Sequence, residues 1–182
     1  RDLALFNLAI DSSLRGIDLV QLRVCDIARG RRILSRVAIT QAKSQCSSQF
    51  EITAETRNSA AAWIAHAQGR RDEAVSLMRS AADLEDRREK SPVTPGRLLP
   101  ARELLGEMLL EDGRPAEALY EYERSPADEP NRLRGLYGAG QAAAQSGKRD
   151  KAKRYFERLL ENAGEGDARP ELDAAREYLA RR

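Results

Sequence analysis

Histidine and tryptophan occur once each in these 182 residues, cysteine and methionine twice each, and Phe, Trp and Tyr together make up only 5%. Two cysteines, Cys25 and Cys46, are too few for a disulfide framework and too far apart for a zinc knuckle, so both are expected as reduced thiols. The single histidine, His66, has no second metal-binding group at helical spacing, so no metal site is expected and it reads as a surface or groove histidine. Nowhere do about eighteen apolar residues run together, which excludes a membrane-spanning helix of the usual kind. No charged, then apolar, then small-residue series marks a secretory leader. These absences point to a cytoplasmic protein with no cofactor implied. So few rings also exclude an aromatic-rich core and favour an interior of Leu and Ala, as helical repeats carry. The methionines are Met78 and Met108 while the first residue is Arg1, so the natural chain is expected to extend further upstream.

Charge of one sign is lacking too. Lys and Arg number 31 against 29 Asp and Glu, a net charge of +2 that gives no general attraction for nucleic acid or an anionic membrane. What is present is 41% apolar and 33% charged residues, enough for a folded core with a solvated surface.

The segment 99–132 repeats in 133–166 with a period of 34 residues: Gly106 matches Gly140, Gly113 matches Gly147, Ala118 matches Ala152, and Tyr122 matches Phe156. Each unit reads as an amphipathic helix, a glycine-containing turn, a second amphipathic helix and a stop. Gly106 and Gly140 fall inside the first helix, where glycine costs about 1 kcal/mol in propensity. That cost is explicable if a facing helix lies too close for a side chain, with the small Ala118 and Ala152 expected across the contact. An earlier unit, 55–88, carries Gly69, Ala74, Met78 and Ala81 at the matching phases, with the stretch "EKSPVTPGRL" as a longer loop after it. The segment 169–181 begins beside Pro170 and places Leu172, Ala175 and Leu179 on one face, as a closing helix should.

This pattern resembles the tetratricopeptide repeat family, over 55–182. The resemblance implies a mainly α fold, a solenoid of helical hairpins with a groove lined by the first helix of each pair, and a protein or peptide partner in that groove. By repeat phase the groove-facing candidates are Ser59, Trp63 and His66 in the first unit, Glu103, Glu107 and Leu110 in the second, and Tyr137, Gln141 and Ala144 in the third. Trp63 is equally readable as a ring buried where the two parts of the chain join.

Residues 1–64 follow another rule, a small α+β segment with two helices and a β-hairpin or three-stranded sheet. Helical spacing runs through Leu5, Leu8 and Ala9, breaks near Gly16 and resumes in a second short helix. The stretch "RRILSRVAITQAKSQCSSQFEIT" then alternates over Val37 and Ile39, and again over Phe50 and Ile52. With its phrase "DSSLRGIDLVQLRVCDI", this part is similar to the opening of the catalytic domain of tyrosine recombinases, the phage-integrase family. That resemblance implies Arg15 as a ligand of the scissile phosphate and Lys43 as a group near the leaving oxygen, with Asp18 standing where many members carry a glutamate that supports the arginine. Strand cleavage also requires a nucleophilic tyrosine and further Arg and His donors. No His-x-x-Arg occurs, and Tyr120, Tyr122, Tyr137, Tyr155 and Tyr178 all fall at helical positions where packing is expected. The chain is therefore not expected to be an enzyme. DNA binding of the integrase class, with the repeats as accessory, is the rival reading: basic residues exceed acidic ones by three over 1–64, and Arg15, Arg29, Arg31, Arg32, Arg36 and Lys43 are candidate phosphate contacts. The helix "AETRNSAAAWIAHA" fits both halves, which suggests a join at about Ala61 to Ala65, through gene rearrangement or sequence assembly.

Overall fold

A computed structural model of the protein describes residues 16–30, 32–87, 99–125, 131–163 and 169–180. Arg15, Arg31, the helix expected through Leu5, Leu8 and Ala9, and the loop expected over 89–98 lie outside them. The fold is mainly helical with a small β portion near the N-terminus, and it forms two compact units, Arg1–Glu89 and Lys90–Arg182.

The first unit opens with two short helices, α1 (Gly16–Val20) and α2 (Val24–Ile27). The short helix expected after Gly16 is α1, which Gly16 itself opens, a position where its low helix propensity costs little; the break expected before it lies outside the described residues. Two separate antiparallel pairs follow, rather than one hairpin or a three-stranded sheet. In the first, β1 (Ala28–Arg29) meets β2 (Arg32–Ile33); in the second, β3 (Arg36–Thr40) meets β4 (Ser47–Glu51). Alternation sets the register of the longer pair, with Val37 opposite Phe50 and both buried.

Helix α3 (Ala54–Ala67) starts at Thr53, whose side-chain oxygen accepts from the Thr56 N–H at 3.3 Å, a stabilising N-cap. It has two apolar faces. Ala60, Ala61 and Ile64 pack with Ile27, Ile33, Val37, Phe50 and Ile52 in the core of the β portion. α3 also packs along α4 (Arg71–Asp86), where Ala74, Val75, Met78, Ala81 and Ala82 are buried.

The second unit holds α5 (Ala101–Glu111), α6 (Pro115–Arg124), α7 (Leu133–Gln145), α8 (Arg149–Ala163) and α9 (Pro170–Ala180), each packed on the next, with α5 also meeting α7. Prolines open α6 and α9, where the missing N–H would have had no helical partner. On α9, Leu172 and Ala175 are buried and Leu179 is half-buried.

One turn is used three times. Gly69, Gly113 and Gly147 have φ of 75°, 71° and 76°. In each case the glycine N–H donates to the carbonyl three residues back, and the next N–H donates to the carbonyl five back: Arg70 to Ala65, Arg114 to Leu109 and Lys148 to Ala143, at 2.8 to 2.9 Å. This C-terminal cap satisfies carbonyls that the helix end leaves open and needs a left-handed residue, which glycine adopts without a Cβ clash. The chain reverses within three residues, so α3–α4, α5–α6 and α7–α8 are antiparallel hairpins.

Gly106 and Gly140 do sit in tight helix contacts, but rings and not alanines occupy the other side. A Cβ on Gly106 would lie 2.6 Å from the Tyr122 ring, and one on Gly140 would lie 2.5 Å from the Phe156 ring. Ala118 and Ala152, one turn earlier, are fully buried. Counted from the turn glycine, the corresponding pair in the first hairpin is Ala62 and Met78, both fully buried.

Candidate functional site

On α5 the sequence spaces Glu103, Glu107, Leu110 and Glu111 at three and four residues, which puts them on one helical face. On α7 the same spacing aligns Leu133, Arg134, Tyr137, Gly138 and Gln141. These two faces, with Leu104 of α5, Tyr122 of α6 and Arg169 and Glu171 at the start of α9, line a cleft of about 580 Å³. A second, smaller cleft of about 240 Å³ adjoins it and is lined by Ala144, Gln145, Phe156, Ala174, Glu177 and Tyr178. Tyr137 and Gln141 line both, so the two form one trough crossing α7 from the α5 side to the α9 side.

The floor is Tyr122, brought there by two missing side chains. Its ring lies against Gly106 of α5 on one side, while a Cβ on Gly138 of α7 would fall 2.3 Å from it on the other. Burial pushes the Tyr122 hydroxyl well above its ordinary pKa, and the charges of Glu107 and Glu103 add to the effect, so it stays a neutral donor. Tyr137 shifts the same way, mainly by burial and then by Glu171. The Tyr137 hydroxyl accepts from Gln141 Nε2 at 3.0 Å, which holds the ring at the junction of the two clefts.

Ion pairs order the walls. Glu103 is only 4% exposed and accepts from Arg132 Nε at 2.9 Å, with its Oε1 2.9 Å from where a Cβ on Gly135 would sit, over the first turn of α7. A carboxylate at a helix N-terminus is favoured by the helix dipole. One Arg134 nitrogen donates to both oxygens of Glu107, at 2.9 and 3.1 Å. Both partners are well exposed, so this pair contributes at most about 1 kcal/mol.

Of the six groove candidates in the second unit, Glu103, Glu107, Leu110, Tyr137 and Gln141 line the main cleft and Ala144 lines its extension. The cleft further recruits Arg134, which lies three residues before Tyr137 and so was within reach of the same phase argument. Glu171 and Tyr178 come from α9 and Arg169 from the residue before it, and no repeat phase announces that this segment reaches the cleft. Tyr120, expected to pack, is 58% exposed, with the Arg124 guanidinium 5.5 Å from its ring centre.

In the first unit, Ser59 is buried and offers no surface. Trp63 is half-buried against the edge of His66, with ring centres 5.7 Å apart, and its indole N–H is buried without a hydrogen-bond partner among the described residues. Among the phosphate candidates, Lys43 stands exposed in the turn between β3 and β4, which closes through Gln45 with a positive φ of 54°. That turn is tied down by the buried Asp18, whose Oδ1 accepts from the Ala42 N–H at 2.8 Å. Arg29 and Arg32 are exposed and opposite each other across β1 and β2. Arg36 is already engaged: it pairs across the ladder with Glu51, whose carboxyl its hydrogen bond and charge hold below the usual range.

No described helix is long and apolar enough to cross a membrane. Comparison with protein-family models and with curated proteins finds no match to the chain.

Proposed function

We propose that the chain is a cytoplasmic protein-interaction module, a solenoid of tetratricopeptide-like hairpins whose first helices line a groove for a partner peptide. The observation that carries this reading is the convergence of Glu103, Glu107, Leu110, Tyr137 and Gln141, selected by repeat phase alone, on one cleft. The identical glycine turn in three hairpins supports a common repeat. A trough with a rigid ring at its centre and hydrogen-bonding groups along its walls suits an extended chain, which needs both apolar contact and partners for its backbone. The reading is tested by selecting peptides from a random display library on the full chain and measuring them against Gln141→Trp, which fills the trough. Selected peptides should lose about tenfold or more in affinity for the variant; peptides that bind it equally well place recognition elsewhere.

A DNA-binding role of the integrase class is the second reading, and the exposed trio Arg29, Arg32 and Lys43 favours it. Three phosphate contacts predict a fall of log K with log salt of about −2 to −3 on duplex DNA. A slope near zero, or one unchanged in a variant carrying Arg15→Ala and Lys43→Ala, removes this reading.

A further inference from the structure

We propose that the Tyr122 hydroxyl sets the register of the trough's occupant by donating its proton to one main-chain carbonyl of an extended peptide, an inference that rests on the groove reading above and names the contact that holds the strand. Packing alone does not call for this oxygen. Counted from the turn glycine, the matching place is Met78 in the first hairpin and Phe156 in the third, and Phe156 lies against Gly140 as Tyr122 lies against Gly106. A bare ring is therefore enough for the helix contact. The room for the oxygen is equally particular to this hairpin pair. A Cβ on Gly138 would fall 2.5 Å from the Tyr122 hydroxyl oxygen, and the position 34 residues before Gly138 is Leu104, so this glycine is no repeat feature. Any larger residue at 138 would crowd the oxygen.

The hydroxyl makes no hydrogen bond with a described residue, although Tyr122 lines the main cleft. Its counterparts nearby are engaged: the Tyr137 oxygen accepts from Gln141 Nε2 at 3.0 Å, and Tyr155 donates to Glu123 at 3.1 Å. A phenol that has given up much of its solvent contact without gaining a partner leaves a donor to be satisfied, and an incoming acceptor recovers that cost. Burial keeps its proton in place at neutral and mildly alkaline pH. An extended strand meets the need whatever its side chains, because successive carbonyls point to opposite sides and one about every 7 Å faces the floor. A single donor between α5 and α7 thus selects which carbonyl sits there, and the side chains on either side follow from that register.

The test uses the full chain and the tightest peptide from the display selection, labelled with fluorescein and read by anisotropy. Tyr122→Phe is expected to weaken binding about three- to tenfold, and Tyr155→Phe on α8, outside the trough, to leave it within about twofold. Analogues of the peptide in which each amide in turn becomes an ester, a poorer acceptor, then locate the carbonyl. At one position the loss should be about threefold larger for the parent than for Tyr122→Phe, a coupling that a purely structural hydroxyl would not produce. Circular dichroism melts of Tyr122→Phe should stay cooperative and near the parent; a collapsed melt would show that packing needs the hydroxyl and overturns the proposal. It is likewise overturned, with the groove reading intact, if Tyr122→Phe binds as the parent does or no ester position is coupled while Gln141→Trp abolishes binding. Binding that Gln141→Trp leaves untouched overturns both.

Discussion

Tyr122 is held in a slot that two absent side chains create, and this makes its neighbours sensitive in a way their size conceals. Alanine is the better helix former by about 1 kcal/mol, so on propensity alone Gly106→Ala should stabilise α5. The added methyl would stand 2.6 Å from a ring that cannot retreat, because Gly138 bounds it behind. Overpacking of this kind costs about 1–3 kcal/mol, and the net effect is expected to be destabilising. The first hairpin carries Ala62 and Met78 at the same two places. Gly106→Ala combined with Tyr122→Met should therefore be less destabilised than the sum of the single changes, read as urea midpoints in a double-mutant cycle. The 34-residue period made Gly106 and Gly140 visible as places of close approach. It could not say that the ring, and not the alanine a turn earlier, fills the gap, because periodicity gives phase and not reach. Gly138 was invisible to it, since the position 34 residues earlier is Leu104. Nor was the pair between Arg102 and Glu121 legible, as charged residues on amphipathic helices read as solvated. Both are almost fully buried and joined at 2.6 Å. Arg102→Met is expected to be destabilising, by up to about 3–5 kcal/mol, because it takes a buried cation from the Glu121 carboxylate, and changing both residues to apolar ones should recover much of it.

Among the elements, the hairpins of the second unit were the most legible, since helix period and turn glycine agree in both of them, and a proline also opens α6. The β portion was less so. Val37 and Phe50 announced the β3–β4 ladder by alternation, whereas β1 and β2 are two residues each, too short for any period to show. Between α6 and α8 runs a contact that repeat phase does not single out. Glu123 accepts from Lys151 at 2.5 Å and from Tyr155 at 3.1 Å. Burial opposes its charge, yet these hydrogen bonds hold Glu123 below its usual range, while burial and then the bond to Glu123 push Tyr155 up to about 12. The linkage signs are opposite. Glu123 contributes stability above the ordinary carboxylate range and loses it as pH falls. Tyr155 contributes below about 10 and loses its contribution as pH rises toward about 12, because there the unfolded chain has released a proton that the folded one keeps. Tyr155→Phe should accordingly lose less stability than the parent between about pH 9 and pH 11, measured as the shift in urea midpoint. An equal loss in both would show that the hydroxyl is not coupled to folding.

At the scale of the whole chain, two compact units imply two cores, and a fragment spanning 90–182 should melt cooperatively with a helical spectrum. A broad, non-cooperative melt would contradict that. The distribution of charged residues belongs to this scale as well: an almost balanced composition hides a trough lined by more glutamates than arginines in one unit and exposed Arg29, Arg32 and Lys43 in the other, and no total reveals such a division. The shared helix α3 has one more implication. An α-helix turns about 100° per residue, so one residue inserted or lost between Ala60 and Ile64 would swing everything beyond it around the axis, spoiling its fit to the β core or to α4. Only lengths that restore the helical phase keep both, which makes this short stretch the reading-frame ruler of the first unit, less tolerant of a change in length than of a change of one side chain.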